Sequence, residues 1–331
     1  MISLQALKTI SAETGFRADT IERVVRLIHV MGELSEHDEI GPLVALKGGT
    51  ALNLFYFDLD RLSVDIDLNY VGSPDRPMAM QEREDISASV LSAMDRLGYT
   101  LQRMPKEQHA GGKWRFRYLS AFGQRGTLEI DLNFMYRAPL FRTRTRDSVE
   151  LGGYVAKDIQ LVDLHEIAAG KLVALANREA SRDIFDAWRL AQRTDIDWTK
   201  VKNAMVVIGA CARTQDWREA GIENYSYDLN EVQGKLLTCV PADITEADGG
   251  TAAWLDRMVS ETRDKLGHLY RLEDSHLAFL DKLYGEGEVD PSLLDADDGF
   301  REQVSRFPAL AWKARNISQH LAGVAAGPRV R

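Results

Sequence analysis

Cysteine is almost missing from this chain. Two occur in 331 residues, Cys211 and Cys239, and neither has a histidine nearby at metal-ligand spacing. A disulfide framework is excluded, and a zinc site is not expected. No run of about 18 apolar residues occurs, and the first turns of the chain lack a charged-then-apolar leader pattern, so no membrane partner is expected. Together these absences point to a cytoplasmic protein. Repeats and low-complexity tracts are absent as well. Basic residues are outnumbered, 41 Lys and Arg against 50 Asp and Glu, for a net charge of −9. Such a chain does not bind polyanions indiscriminately. What remains, 45% hydrophobic and 27% charged, is an ordinary globular composition, long enough for one large domain or two smaller ones.

The most informative stretch is LVALKGGTALNLFYFDLDRLSVDIDLNY, residues 43–70. Alternation along a strand puts Asp65, Asp67 and Asn69 on one face and Ile66 and Leu68 on the other. Two carboxylates so close on one face repel each other unless a cation lies between them. An oxygen-rich site of that kind suits Mg²⁺, which also takes phosphate oxygens and water. Just upstream, Gly48-Gly49-Thr50 forms a turn whose glycines let backbone N–H groups approach a phosphate, with a helix starting near Thr50 to turn its positive end toward it. A phosphate cradle beside paired carboxylates is the chemistry of nucleotidyl transfer. An EF-hand is excluded, because its glycine and glutamate positions hold Tyr70 and Arg76.

Coarse organisation follows from periodicity. Ala18-Asp19-Thr20 reads as a helix start, followed by an apolar stripe through Met31. Leu43–Leu46 reads as a buried strand, Met80–Leu97 as a helix ended by Gly98, and Trp114–Ser120 and Thr127–Phe134 as strands about a Gly123–Gly126 turn. Beyond residue 155, strand signals nearly vanish. Residues 285–299 are acidic and punctuated by Gly and Pro, an exposed loop. The expected architecture is α+β, a mixed sheet with packed helices over residues 1–155, then a mainly helical half over 156–331.

Leu128-Glu-Ile-Asp-Leu-Asn-Phe134 echoes the first acidic strand. An antiparallel pairing of the two would put Glu129 and Asp131 on the face of Asp65 and Asp67, and either supplies a third carboxylate. Residues 101–146 carry ten basic side chains against three acidic ones: Arg103, Lys106, Lys113, Arg115, Arg117, Arg125, Arg137, Arg142, Arg144 and Arg146. That local field suits a polyphosphate or an RNA backbone. The interleaved Trp114, Phe116 and Tyr118 fall on the opposite strand face and are better explained as core.

The motifs Lys47-Gly48-Gly49-Thr50-Ala51-Leu52 and Arg61-Leu62-Ser63-Val64-Asp65-Ile66-Asp67-Leu68 resemble those of the AbiEii/AbiGii toxin family, within the DNA polymerase β-like nucleotidyltransferases. Thr50 stands where the wider superfamily carries Ser. The resemblance continues at Lys171, Ala174-Leu175, Arg178, Arg182-Asp183 and Asp186. It implies a polymerase β-like fold and a metal-dependent transfer of NMP from an NTP. Asp65, Asp67 and Asp131 would hold Mg²⁺ or Mn²⁺, with Lys171 and Asp186 also in the catalytic set. Lys47, Gly48, Gly49, Thr50, Arg61, Ser63, Lys171, Arg178 and Asp183 would bind the nucleotide. Asp183 and Asp186 remain open to blander roles, a helix-dipole partner and an ion pair with Arg182. His165 reads as structural. The resemblance further implies a toxin of a toxin–antitoxin system with a cognate antitoxin, some relatives adding nucleotides to the 3′ end of tRNA. The alternatives are transfer to an antibiotic or a protein hydroxyl, or a non-catalytic nucleotide-binding module.

Overall fold

The residues that alternate in the sequence form the middle of one sheet. The computed structural model describes residues 2–105, 111–212 and 215–325; Lys106 of the basic segment lies outside them. Helices α1 (Leu4–Thr14) and α2 (Ala18–Ser35) come first. Arg17, not Asp19, sits at the N-cap of α2, and Asp19 in its first turn binds the Arg17 guanidinium at 3.0 Å. Strand β1 (Val44–Lys47) runs into α3 (Gly48–Ala51), continued as a π-helical turn through Tyr56. Strand β2 (Ile66–Tyr70) follows, then α4 (Arg76–Arg96), capped by Asp75 and carrying Pro77 in its first turn. The sheet continues with β3 (Thr100–Arg103), β4 (Gly111–Leu119), β5 (Arg125–Asn133), β6 (Arg144–Arg146) and β7 (Ile159–Leu161).

Its order is β3-β4-β5-β2-β1-β7-β6. The pairing of the two acidic strands is parallel, not antiparallel. The reason is connectivity. Strands β4 and β5 form an antiparallel hairpin, and the reversal at that hairpin sends β5 back in the direction of β2. The consequence for the site is favourable, because the parallel register sets Asp67 directly beside Asp131 and Asn69 beside Asn133. Ile66, Leu68, Ile130 and Leu132 fill the opposite face, each at most 5% exposed. Trp114, Phe116 and Tyr118 are buried core, as their alternation implies.

The rest is helical: α5 (Leu164–Asn177), α6 (Ser181–Leu190), α7 (Trp198–Ala210), the single turn α8 (Leu229–Glu231), α9 (Thr251–Leu266), α10 (Asp274–Glu286), α11 (Asp298–Arg306) and α12 (Pro308–Ala325). Helix α5 packs against α6 and α7, α6 against α9, and α10 against α12. No described helix is long and apolar enough to cross a membrane. The helical half is joined to the sheet by β7, which pairs with β1, and by the hydrogen bond from Leu62 N to the Cys239 carbonyl at 2.6 Å.

Candidate active site

The site is built where β1, α3, β2 and β5 meet the side of α5. Gly48 has φ +72°, a left-handed conformation that disfavours any side chain, and a Cβ there would lie 2.6 Å from Asp67 Oδ2. Only glycine lets the turn lie against the acidic strand. The Thr50 side chain is fully buried and its hydroxyl donates to the Asp65 carbonyl at 2.5 Å. Thr50 therefore fixes the turn to the start of the acidic strand. Ser63 is buried beneath Gly49, where a Cβ would meet its hydroxyl at 3.0 Å.

The three aspartates behave as a like-charged group. Burial first, and the charge of Asp67 second, raise both Asp65 and Asp131 above the ordinary carboxylate range. Glu129 behaves differently. Against the upward push of burial, hydrogen bonds from Lys113 at 3.0 Å and Arg115 at 2.6 Å hold its carboxyl below the ordinary value. Of the two candidates for a third carboxylate, Glu129 is neutralised by Lys113 and Arg115, whereas Asp131, next to Asp67, meets Lys113 at the longer distance of 3.9 Å. Among the described residues, no three acidic, His or Cys side chains close into a ready metal cage. An open row of carboxylates fits Mg²⁺ nonetheless, since that ion ordinarily keeps one or two protein carboxylates and completes its shell with phosphate oxygens and water.

Lysine 171 reaches the site from α5. Its ammonium lies 2.7 Å from Asp186 and 3.2 Å from Asp183. Asp183 is also gripped by Arg178, Nε to Oδ2 at 2.6 Å. Helix α5 ends at Asn177, so Lys171 and Arg178 converge by a bend of the chain after the helix, not by stacked helical turns. Asp186 is 0% exposed and accepts both arms of the Arg61 guanidinium at 2.7 Å each. Burial pushes its carboxyl up, but Arg61 and then Lys171 hold it down at about 2. This arrangement corrects one expectation, the pairing of Asp186 with Arg182. Arg61 is 2% exposed and its guanidinium is forked onto Asp186. Asp186 holds Lys171 in place, and its ion-pair partners are Arg61 and Lys171.

Of these groups, Gly48, Asp67, Lys171 and Arg178 line a cavity of about 360 Å³, together with Lys47. The fold and the cavity now stand beside the comparisons. Residues 31–273 match the family described as nucleotidyl transferase AbiEii toxin, type IV TA system. The chain belongs to that family. It is thus a nucleotidyltransferase toxin of a type IV toxin–antitoxin family, which implies an NTP substrate and a cognate antitoxin. Its fold is similar to that of MenT4, a nucleotidyltransferase toxin from Mycobacterium tuberculosis H37Rv, at 17% identity and a TM-score of 0.63 over 95% of this chain and 99% of that one. No curated protein matches it in sequence.

The AbiEii site holds residues that motif reading missed. Asn53 ties the Gly49 carbonyl at 2.8 Å to Asp186 at 3.3 Å; a lone amide inside the apolar run ALNLFYF was its only signal. Asn69 lines the cavity with a buried side-chain oxygen that has no partner among the described residues. Glu166, an acid on the buried face of α5, also lines it and accepts from the Leu140 and Phe141 amides at 2.8 and 3.3 Å. His165 is structural as expected, with Nδ1 on Asp163 at 2.7 Å and Nε2 accepting from the Asp197 amide.

Two outcomes test this division of labour. Asp186→Asn leaves Arg61 buried without its counter-charge and should cost about 3–5 kcal/mol in urea unfolding. Asp67→Ala removes a repulsive carboxylate and should change stability by less than about 0.5 kcal/mol. Separately, burial pushes the Glu166 carboxyl up to about 7 from an ordinary 4.5. The folded state then keeps a proton that the unfolded chain gives up, so stability falls as pH rises from 4.5 to 7 and stays low above it. Glu166→Gln should match the wild type at pH 4.5 and exceed it at pH 8 by on the order of 2–3 kcal/mol. A pH-independent difference in unfolding free energy would contradict that assignment.

Proposed function

We propose that the protein transfers a nucleoside monophosphate from an NTP to the 3′ hydroxyl of an RNA, with tRNA as the acceptor. The observation that carries the reading is the register of Asp67 beside Asp131, with Asp67 lining the cavity that includes Gly48 and Lys171. Asp65, Asp67 and Asp131 would hold the Mg²⁺ or Mn²⁺, which when bound supplies positive charge to the phosphates and acidifies the attacking hydroxyl. Backbone N–H groups of the Gly48-Gly49 turn orient the triphosphate. The Lys171 and Arg178 cations offset charge on the departing pyrophosphate. Lysine suits that task as a point charge on a flexible stem, able to shift from Asp183 and Asp186 onto a phosphate. The acceptor oxygen bonds to the α-phosphorus as the bond to pyrophosphate breaks. Asp131, raised above the ordinary carboxylate range by burial and by Asp67, takes the hydroxyl proton. Blocking the 3′ end of tRNA would halt aminoacylation, which accounts for toxicity and for an antitoxin.

The experiment is incubation with Mg²⁺, total bacterial tRNA and each α-labelled NTP in turn. Label should move to tRNA with one or two of the NTPs, Asp67→Ala should abolish the transfer, and Lys171→Ala should chiefly raise the KM for NTP. Label on protein or on no macromolecule would sink the RNA assignment.

A further inference from the structure

A second, larger cavity of about 710 Å³ adjoins the nucleotide cavity, and Tyr136 lines both. One wall is Asn133 at the end of β5, with Arg137 in the following loop and Arg76 at the start of α4; the other is α12, with Trp312 and Arg315. Asp131 and Asn133 lie two residues apart on one strand face. The cavity therefore begins one side-chain step beyond the carboxylate assigned to the acceptor proton.

Its lining is unusual for this chain. Three arginines line it and, among the described residues, no Asp or Glu does, although the protein carries a net charge of −9. The side chains of Arg76 and Arg315 make no hydrogen bond or ion pair with any described residue. Arg137 is held in place by its Nε on the Pro74 carbonyl at 2.8 Å and its Nη1 on the Phe134 carbonyl at 3.1 Å. Burial, together with the charge of Arg76, lowers the Arg137 guanidinium from its ordinary value. Asp75 offsets this charge in part, and like charges gathered in one lining suit a polyanionic ligand. Trp312 is 48% exposed, a large aromatic face left open at the mouth of a cationic hollow. A volume within the roughly 300–1,000 Å³ of ligand sites admits single nucleotides and no duplex. Helix α12 also lies outside residues 31–273, which match the family.

We propose that this cavity receives the single-stranded 3′ end of the acceptor RNA, a base stacking on Trp312 while Arg76, Arg137 and Arg315 hold the adjoining phosphates. The proposal rests on the RNA-acceptor reading of the catalytic site. It gives the terminal hydroxyl a direct approach to Asp131 from the β5 side, opposite the triphosphate bound at Gly48 and Lys171. A cationic small-molecule acceptor would be repelled from the same walls.

The test measures binding by fluorescence anisotropy with a 5′-labelled RNA of about ten nucleotides, in an Asp67→Ala background that does not turn over. NTP affinity is measured in parallel by calorimetry. Trp312→Ala should weaken RNA binding about tenfold. Arg315→Glu should weaken it further and flatten the dependence of affinity on salt. Both variants should keep the NTP affinity of the parent, which also reports that they fold. A blunt-ended RNA hairpin should bind at least about tenfold more weakly than the single strand. If the wild type labels tRNA but both variants bind the single strand as the parent does, the cavity assignment falls and the transferase reading stands. If the wild type neither labels nor binds RNA, the acceptor class is wrong and this proposal falls with it.

Discussion

The buried carboxylate of Asp186 organises this site. Taking an aspartate fully out of water is costly unless its charge is matched and its oxygens are bonded. Here both conditions are met by Arg61, Lys171 and Asn53, which come from three separate stretches of chain. Arg61 precedes the acidic strand and lies beneath Gly49, Asn53 belongs to the helical turn after the glycines, and Lys171 sits on α5. One charge thereby sets the spacing between the phosphate turn, the acidic strand and the helical half. Lys171 is held in the cavity by two carboxylates, yet it can leave them for a phosphate, because Arg61 alone keeps Asp186 paired.

Electrostatics divides the pocket into two regions of opposite sign. Asp65, Asp67 and Asp131 are crowded, and burial with mutual repulsion raises two of them. Around them stand Lys47, Lys171 and Arg178. On the proposed function, a metal-bound triphosphate would bring cations to the aspartates and anions to the basic groups. Elsewhere the same residue types cancel. Glu129 with Lys113 and Arg115, and Arg144 with Asp163, form closed pairs, and so part of the basic surplus of residues 101–146 is consumed within the fold.

Legibility tracked the range of the interaction. Strands β2, β4 and β5 were readable because alternation of apolar and polar residues is a local pattern enforced by one buried face. Strands β3, β6 and β7 have three or four residues each and were not read; β6 and β7 pair with each other, and β7 also joins β1. A strand that short, without an adjoining motif such as the glycine turn that follows β1, carries too little periodicity to announce itself, and only its partner's open edge makes it a strand. Helix α1 was likewise passed over, its apolar contacts being made with the neighbouring helix.

The sequence by itself determined the chemistry of this protein: a glycine turn, an Asp-x-Asp strand and its echo, and a lysine followed by an Arg-Asp-x-x-Asp segment. Those features are short-range, and geometry within a few residues is fixed by backbone alternation and sterics alone. Tertiary structure decided which members of each motif come together and which are buried. It turned β5 parallel to β2 through the hairpin before it, supplied Glu129 with two cations, and buried Arg61 and Asp186 as a pair. It also brought α12 across from the end of the chain to complete a cationic hollow beside Asn133. Such outcomes depend on which distant charge arrives at a given carboxylate, and a one-dimensional spacing holds no record of that.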